Sequence, residues 1–145
     1  MPKFNRRFAR QPDKAEPHAP IPAETEKVAA QVVDAVFTVH KTLGPGLLEN
    51  VYEVCVCREL SKRGLGFQRQ VSLPIVYDTV RLETGLRLDL LVANCVVVEL
   101  KAVEQVLPVH LAQLLTYLRL SCYRLGLLVN FNTELIKDGI FRRVN

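Results

Sequence analysis

The chain has 145 residues, 49% hydrophobic and 23% charged, enough for one ordinary globular core and one domain. No apolar run approaches the roughly 18 to 20 residues needed to span a bilayer, and the N-terminus bears charge where a secretory apolar segment would sit, so a cytoplasmic protein is expected. The net charge of +4 invites a nucleic-acid partner, but its distribution weakens that inference.

Residues 1–23 hold five basic residues (Lys3, Arg6, Arg7, Arg10, Lys14), two acidic ones (Asp13, Glu16) and five prolines. So little apolar surface predicts a disordered basic tail. The remaining 24–145, the expected folded domain, keep 14 of the 19 basic and 13 of the 15 acidic residues and are nearly neutral. From Glu24, Val28, Val32, Val36, Val39 and Leu43 mark one apolar helix face, ended by Gly44-Pro45-Gly46. A second helix follows to a stop at Gly64, with Leu48, Val51, Tyr52 and Cys55 as its expected buried side. Cys55, Cys57, Cys95 and Cys122 lack paired CxxC spacing and read as reduced thiols.

Strand signals run from Gln68 to Val103, with turn residues at Tyr77-Asp78 and at Glu83-Thr84-Gly85, and three strands fit. Leu107-Pro108 opens a third helix with Leu111, Leu114, Leu115 and Leu118 at helical spacing. The apolar strand YRLGLLVNF and a short strand IFRRV, after a turn at Lys137-Asp138-Gly139, close the chain. The order predicts an α/β protein with a mixed central sheet flanked by helices.

Within the strand region, LRLDLLVANCVVVELKAV places Asp89, Glu99 and Lys101 where buried apolar residues belong. Glu99 and Lys101 share a strand face. A two-residue turn at Ala93-Asn94 would pair Asp89 with Val98 and turn it away from them. A three-residue connection pairs Asp89 with Glu99 and Arg87 with Lys101, so cooperation of the three charges requires an odd-numbered loop or a bulge. Two carboxylates beside a lysine suit a hard cation and an anionic substrate, the parts of phosphodiester hydrolysis. On spacing alone, a solvated ion-paired face fits as well.

The segment GPGLLENVYE contains G-x-x-E-x-x-Y as Gly46, Glu49 and Tyr52. With RLDLL, VVVELKAVE, HLAQLLTYL and LGLLVNF in this order, the chain from Glu24 to Asn145 resembles the GxxExxY protein family of the PD-(D/E)XK nuclease-like superfamily. The resemblance implies a restriction-endonuclease-like core with Asp89, Glu99 and the Leu100 carbonyl as Mg²⁺ (or Mn²⁺) ligands. It makes Lys101 the lysine of the motif, Glu49 an additional acidic residue near the metal or its water, and Gln113 with Tyr117 a Q-x-x-x-Y element beside the site. Arg87 is a candidate phosphate contact or an ion-pair partner of Glu99. One departure is Leu88, where the superfamily's name has proline. The implied activity is metal-dependent nuclease action, DNA the expected substrate, with a homodimer or protein partner left open. The alternative is a non-catalytic nucleic-acid-binding or protein-interaction module on the same fold.

Overall fold

The computed structural model describes residues 19–145, so residues 1–18 of the expected tail lie outside the described residues. Helix α1 spans Ala23–Leu43 and α2 Glu49–Lys62, followed by β1 (Phe67–Tyr77), β2 (Val80–Val92) and β3 (Val96–Lys101). Helix α3 (Pro108–Ser121) connects to β4 (Leu125–Asn130), and a 3₁₀ turn (Ile136–Gly139) leads into β5 (Ile140–Val144). The five strands lie in chain order across one sheet; β3 and β4 are parallel and the other neighbours antiparallel. The parallel step falls where α3 provides the crossover that parallel neighbours require.

Two apolar layers enclose the sheet. Val28, Val32, Val36 and Val39 of α1 and Tyr52, Val56 and Leu60 of α2 pack on Val96, Val98, Leu100, Leu125, Leu127 and Val129. On the other face, Leu114 and Leu118 of α3 pack on Val97 and Leu128. Gly126 permits that approach, since a Cβ there would stand 2.8 Å from Leu114 Cδ1. All six residues of β4 are buried, as a central strand covered on both faces should be.

Two expectations are corrected. Glu83-Thr84-Gly85 is not a turn: β2 runs through it, and the β1–β2 hairpin turns at Asp78-Thr79, between the paired Tyr77 and Val80. The turn-forming composition at 83–85 instead marks a shift in register, with Leu73 opposite Leu86 but Ile75 opposite Leu82. Gly85 lies beneath Ile75, whose Cγ1 would be 2.7 Å from an added Cβ. The buried side of α2 is also rotated from the expected one. Leu48 and Val51 are exposed, while Tyr52, Glu53, Val56, Cys57 and Leu60 are buried.

Candidate active site

The β2–β3 connection comprises Ala93, Asn94 and Cys95, with Val92 opposite Val96 and Leu90 opposite Val98. This is the odd-numbered loop that places Asp89 opposite Glu99. The backbone ladder stops at Leu90 and Val98, and the next position is joined by side chains. The Asp89 amide donates to Glu99 Oε1 at 3.2 Å, and the Leu100 amide donates to Asp89 Oδ2 at 2.9 Å. Each carboxylate thus spends one oxygen on the opposite strand and keeps the other for its neighbour or a ligand. Because N–H and C=O of one strand residue point the same way, the Leu100 carbonyl faces this gap too. The Lys101 carbonyl, by contrast, accepts the Phe131 amide beyond β4.

Glu99 is buried, and its carboxyl is pushed up to about 8, first by that burial and then by the negative charge of Asp89, with Lys101 opposing in part. Lys101, half-buried at the end of β3, forms no ion pair with any described residue. Arg87 is exposed and has no carboxylate within salt-bridge distance among the described residues, so the alternative of a Glu99 ion pair is not what the structure contains.

The G-x-x-E-x-x-Y residues act together. Gly44 and Gly46 take φ of 69° and 98°, left-handed values that favour glycine, to turn the chain out of α1. Tyr52, fully buried and stacked on Phe131 with ring centroids 4.3 Å apart, accepts the Leu47 amide at 3.1 Å and donates to the Gly44 carbonyl at 2.6 Å. The loop between is tied down, and Glu49 becomes the first residue of α2. The Glu49 carboxyl is raised by desolvation and then by Asp89, while Lys101 and Arg87 act the other way, so it stands within the field of the same charges.

From α3, Gln113 Nε2 donates to Tyr117 Oη at 2.9 Å, one helical turn apart. The Tyr117 hydroxyl is raised by burial and then by Glu99, with the Gln113 hydrogen bond lowering it, so the phenol stands within the field of the carboxylates. His110, in the first turn of α3, accepts the Leu107 amide at its Nδ1.

A model of the PD-(D/E)XK nuclease superfamily matches residues 26–144. The chain belongs to the PD-(D/E)XK nuclease superfamily. No curated protein and no solved structure gives a significant match. Membership points to nuclease activity and nucleic-acid binding, and PD-(D/E)XK nucleases generally use divalent metals. The donor chemistry fits such an ion: two carboxylates and a carbonyl directed into one gap are hard oxygen ligands, and a cation there would offset the burial and the Asp89 charge that together raise Glu99. Among the described residues no three acidic, histidine or cysteine side chains converge at ligand distance, so Glu49 does not complete a third carboxylate ligand.

Sequence reading missed Glu53 and Asn130. Buried Glu53 receives Arg69 and Gln70 of β1. Buried Asn130 clamps the chain just after Lys101, accepting the Val103 amide at 3.0 Å and donating to its carbonyl at 2.9 Å. A polar residue ending an otherwise apolar strand was the available signal for Asn130; Glu53 had none beyond its place one turn after Glu49.

Proposed function

We propose that the protein is a Mg²⁺- or Mn²⁺-dependent phosphodiesterase acting on DNA, with its site formed by Asp89, Glu99 and Lys101 where the β2–β3 ladder opens. The observation that supports it most is the substitution of two carboxylates for backbone pairing beside a lysine free of ion pairs among the described residues. Asp89, Glu99 and the Leu100 carbonyl are the residues that would hold the ion. Its chemistry when bound is to polarise the scissile phosphate and lower the pKa of water.

The chain's own groups do the rest. Lys101, in no ion pair among the described residues, offsets charge developing on the phosphate or orients the attacking water. Arg87, exposed beside the site, offers a planar fork to a second phosphate. Tyr117 presents its hydroxyl near the carboxylates, held by Gln113, and Glu49 closes the site from α2 as an acceptor for water. The near-neutral body lacks the broad basic surface of a tight duplex binder, which favours ends, single strands or delivery by a protein partner or second copy.

A non-catalytic module is the second reading, favoured by the role of Asp89 and Glu99 in holding two strands together. Labelled single-stranded DNA, duplex DNA and RNA, incubated with wild type and Lys101→Ala in Mn²⁺, Mg²⁺ and EDTA, separate the two. Cleavage that requires metal and disappears in the variant supports the nuclease. A folded wild type inert on all three substrates supports the module.

A further inference from the structure

Successive residues of a strand point to opposite faces. Arg69 and Gln70 of β1 break this rule: Arg69 Nη2 donates to Glu53 Oε2 at 2.8 Å and Gln70 Nε2 to Glu53 Oε1 at 2.6 Å, so both neighbours reach one carboxylate on α2. Gln70 manages this with φ of 50°, a left-handed conformation that disfavours any residue with a Cβ. The same position drops out of the β1–β2 ladder although the register is unchanged on either side, with Arg69 opposite Leu90 and Val71 opposite Leu88. The residue facing Gln70 in that register is Asp89.

The packing shows what the break accomplishes. Phe67 and Leu90 belong to the apolar layer beneath α1 and α2, whereas Val71 and Leu88 belong to the layer beneath α3. Both strands therefore exchange faces at the Gln70–Asp89 position, and Asp89 lies at the crossover, where its side chain can turn into the gap and accept the Leu100 amide. Glu53 is buried, and both of its oxygens are engaged in holding the crossover. It also lies one helical turn from Glu49, so the same helix that supplies Glu49 sets the strand that supplies Asp89.

We infer that Glu53 is a positioning residue: through Arg69 and Gln70 it holds the left-handed break that aims Asp89 at Leu100 and Glu99. The bearing of this tether on catalysis rests on the nuclease reading, but its geometric content does not. The test accordingly reads an amide in the metal-free protein.

Hydrogen exchange of the Leu100 amide, relative to the Leu127 and Val129 amides of β4, is measured by NMR in wild type, Glu53→Ala, Gln70→Gly and the double variant. Glu53→Ala is expected to lower the relative protection of Leu100 by about tenfold, the order of the bias against a left-handed non-glycine residue. Gln70→Gly, which adopts that conformation at no steric cost, is expected to restore protection in the double variant to within about threefold of wild type. If Glu53→Ala does not fold, Glu53→Gln, which keeps the shape but loses the charge shared with Arg69, takes its place. Unchanged Leu100 protection overturns the inference, as does a loss that spreads equally through β4 and is not reversed by glycine at position 70. Protection that follows the tether while no substrate is cleaved leaves the positioning role standing and removes only the nuclease.

Discussion

Burial of Glu99 against Asp89 makes the stability of the metal-free protein a function of pH in a window where ordinary carboxylates no longer titrate. With the Glu99 carboxyl displaced from 4.5 to about 8, the folded state binds more protons than the unfolded state between those values. Unfolding free energy must then fall as pH rises through the window. At ~1.4 kcal/mol per pH unit the loss amounts to about 5 kcal/mol at most, a large part of the 5–15 kcal/mol typical of a domain. Glu49, raised by desolvation and by Asp89, acts in the same direction. Glu26 and Glu59, lowered by Arg142 and Arg63, lose their contribution only as pH falls below the ordinary carboxylate range and leave this window alone. Urea unfolding in EDTA, from about pH 5 to about pH 9, on wild type and Glu99→Gln measures the effect. The glutamine can accept the Asp89 amide and donate to the Asp89 carboxylate, so the variant should have a shallower pH slope and exceed wild type at pH 8. Parallel curves for the two proteins would refute the assignment of a repelling buried pair.

Mn²⁺ should raise the melting temperature of wild type at pH 8 and leave Asp89→Asn unmoved, as calorimetry in saturating Mn²⁺ against EDTA would show. Tyr52→Phe removes the hydroxyl that joins Leu47 to Gly44 and should cost about 1–3 kcal/mol in denaturant unfolding, with the core stack on Phe131 intact. Gly126→Ala should destabilise by about 1–3 kcal/mol, because the new methyl meets Leu114 and Leu118 and lifts α3, with Gln113 and Tyr117, off the sheet; a change within ~0.5 kcal/mol would contradict the close packing.

The order of elements was legible because apolar periodicity in α1 and the uniform apolar run of β4 report local burial directly. The site was legible as a condition: Asp89 could join Glu99 only across an odd connection, and Ala93, Asn94 and Cys95 supply it. Asp89 still could not be aimed from the sequence, since the crossover at Gln70 depends on Glu53, a contact between residues 17 apart that no period encodes. The same contact explains the misjudged face of α2: an ion-paired carboxylate takes a buried place that a count of apolar residues assigns to Leu48 or Val51. Glu83-Thr84-Gly85 has the composition of a turn, and only the packing of Ile75 over Gly85 distinguishes a kinked strand from a reversal.

The short ladder between β2 and β3 also divides the chain by how quickly its parts find each other. The β1–β2 hairpin closes across two residues, while β3 and β4 meet only after the intervening α3 has been threaded between them. Loop-closure entropy favours early formation of the hairpin and late formation of the parallel pair. Only three backbone pairs, Leu90–Val98 to Val92–Val96, join the two halves before the chain reaches Asp89 and Glu99. Pulse-labelled hydrogen exchange during refolding should therefore protect β1 and β2 amides ahead of those in β4. The two carboxylates then stand at the seam between a fast local unit and a slow distant one, and assembling the site is the same event as closing the fold.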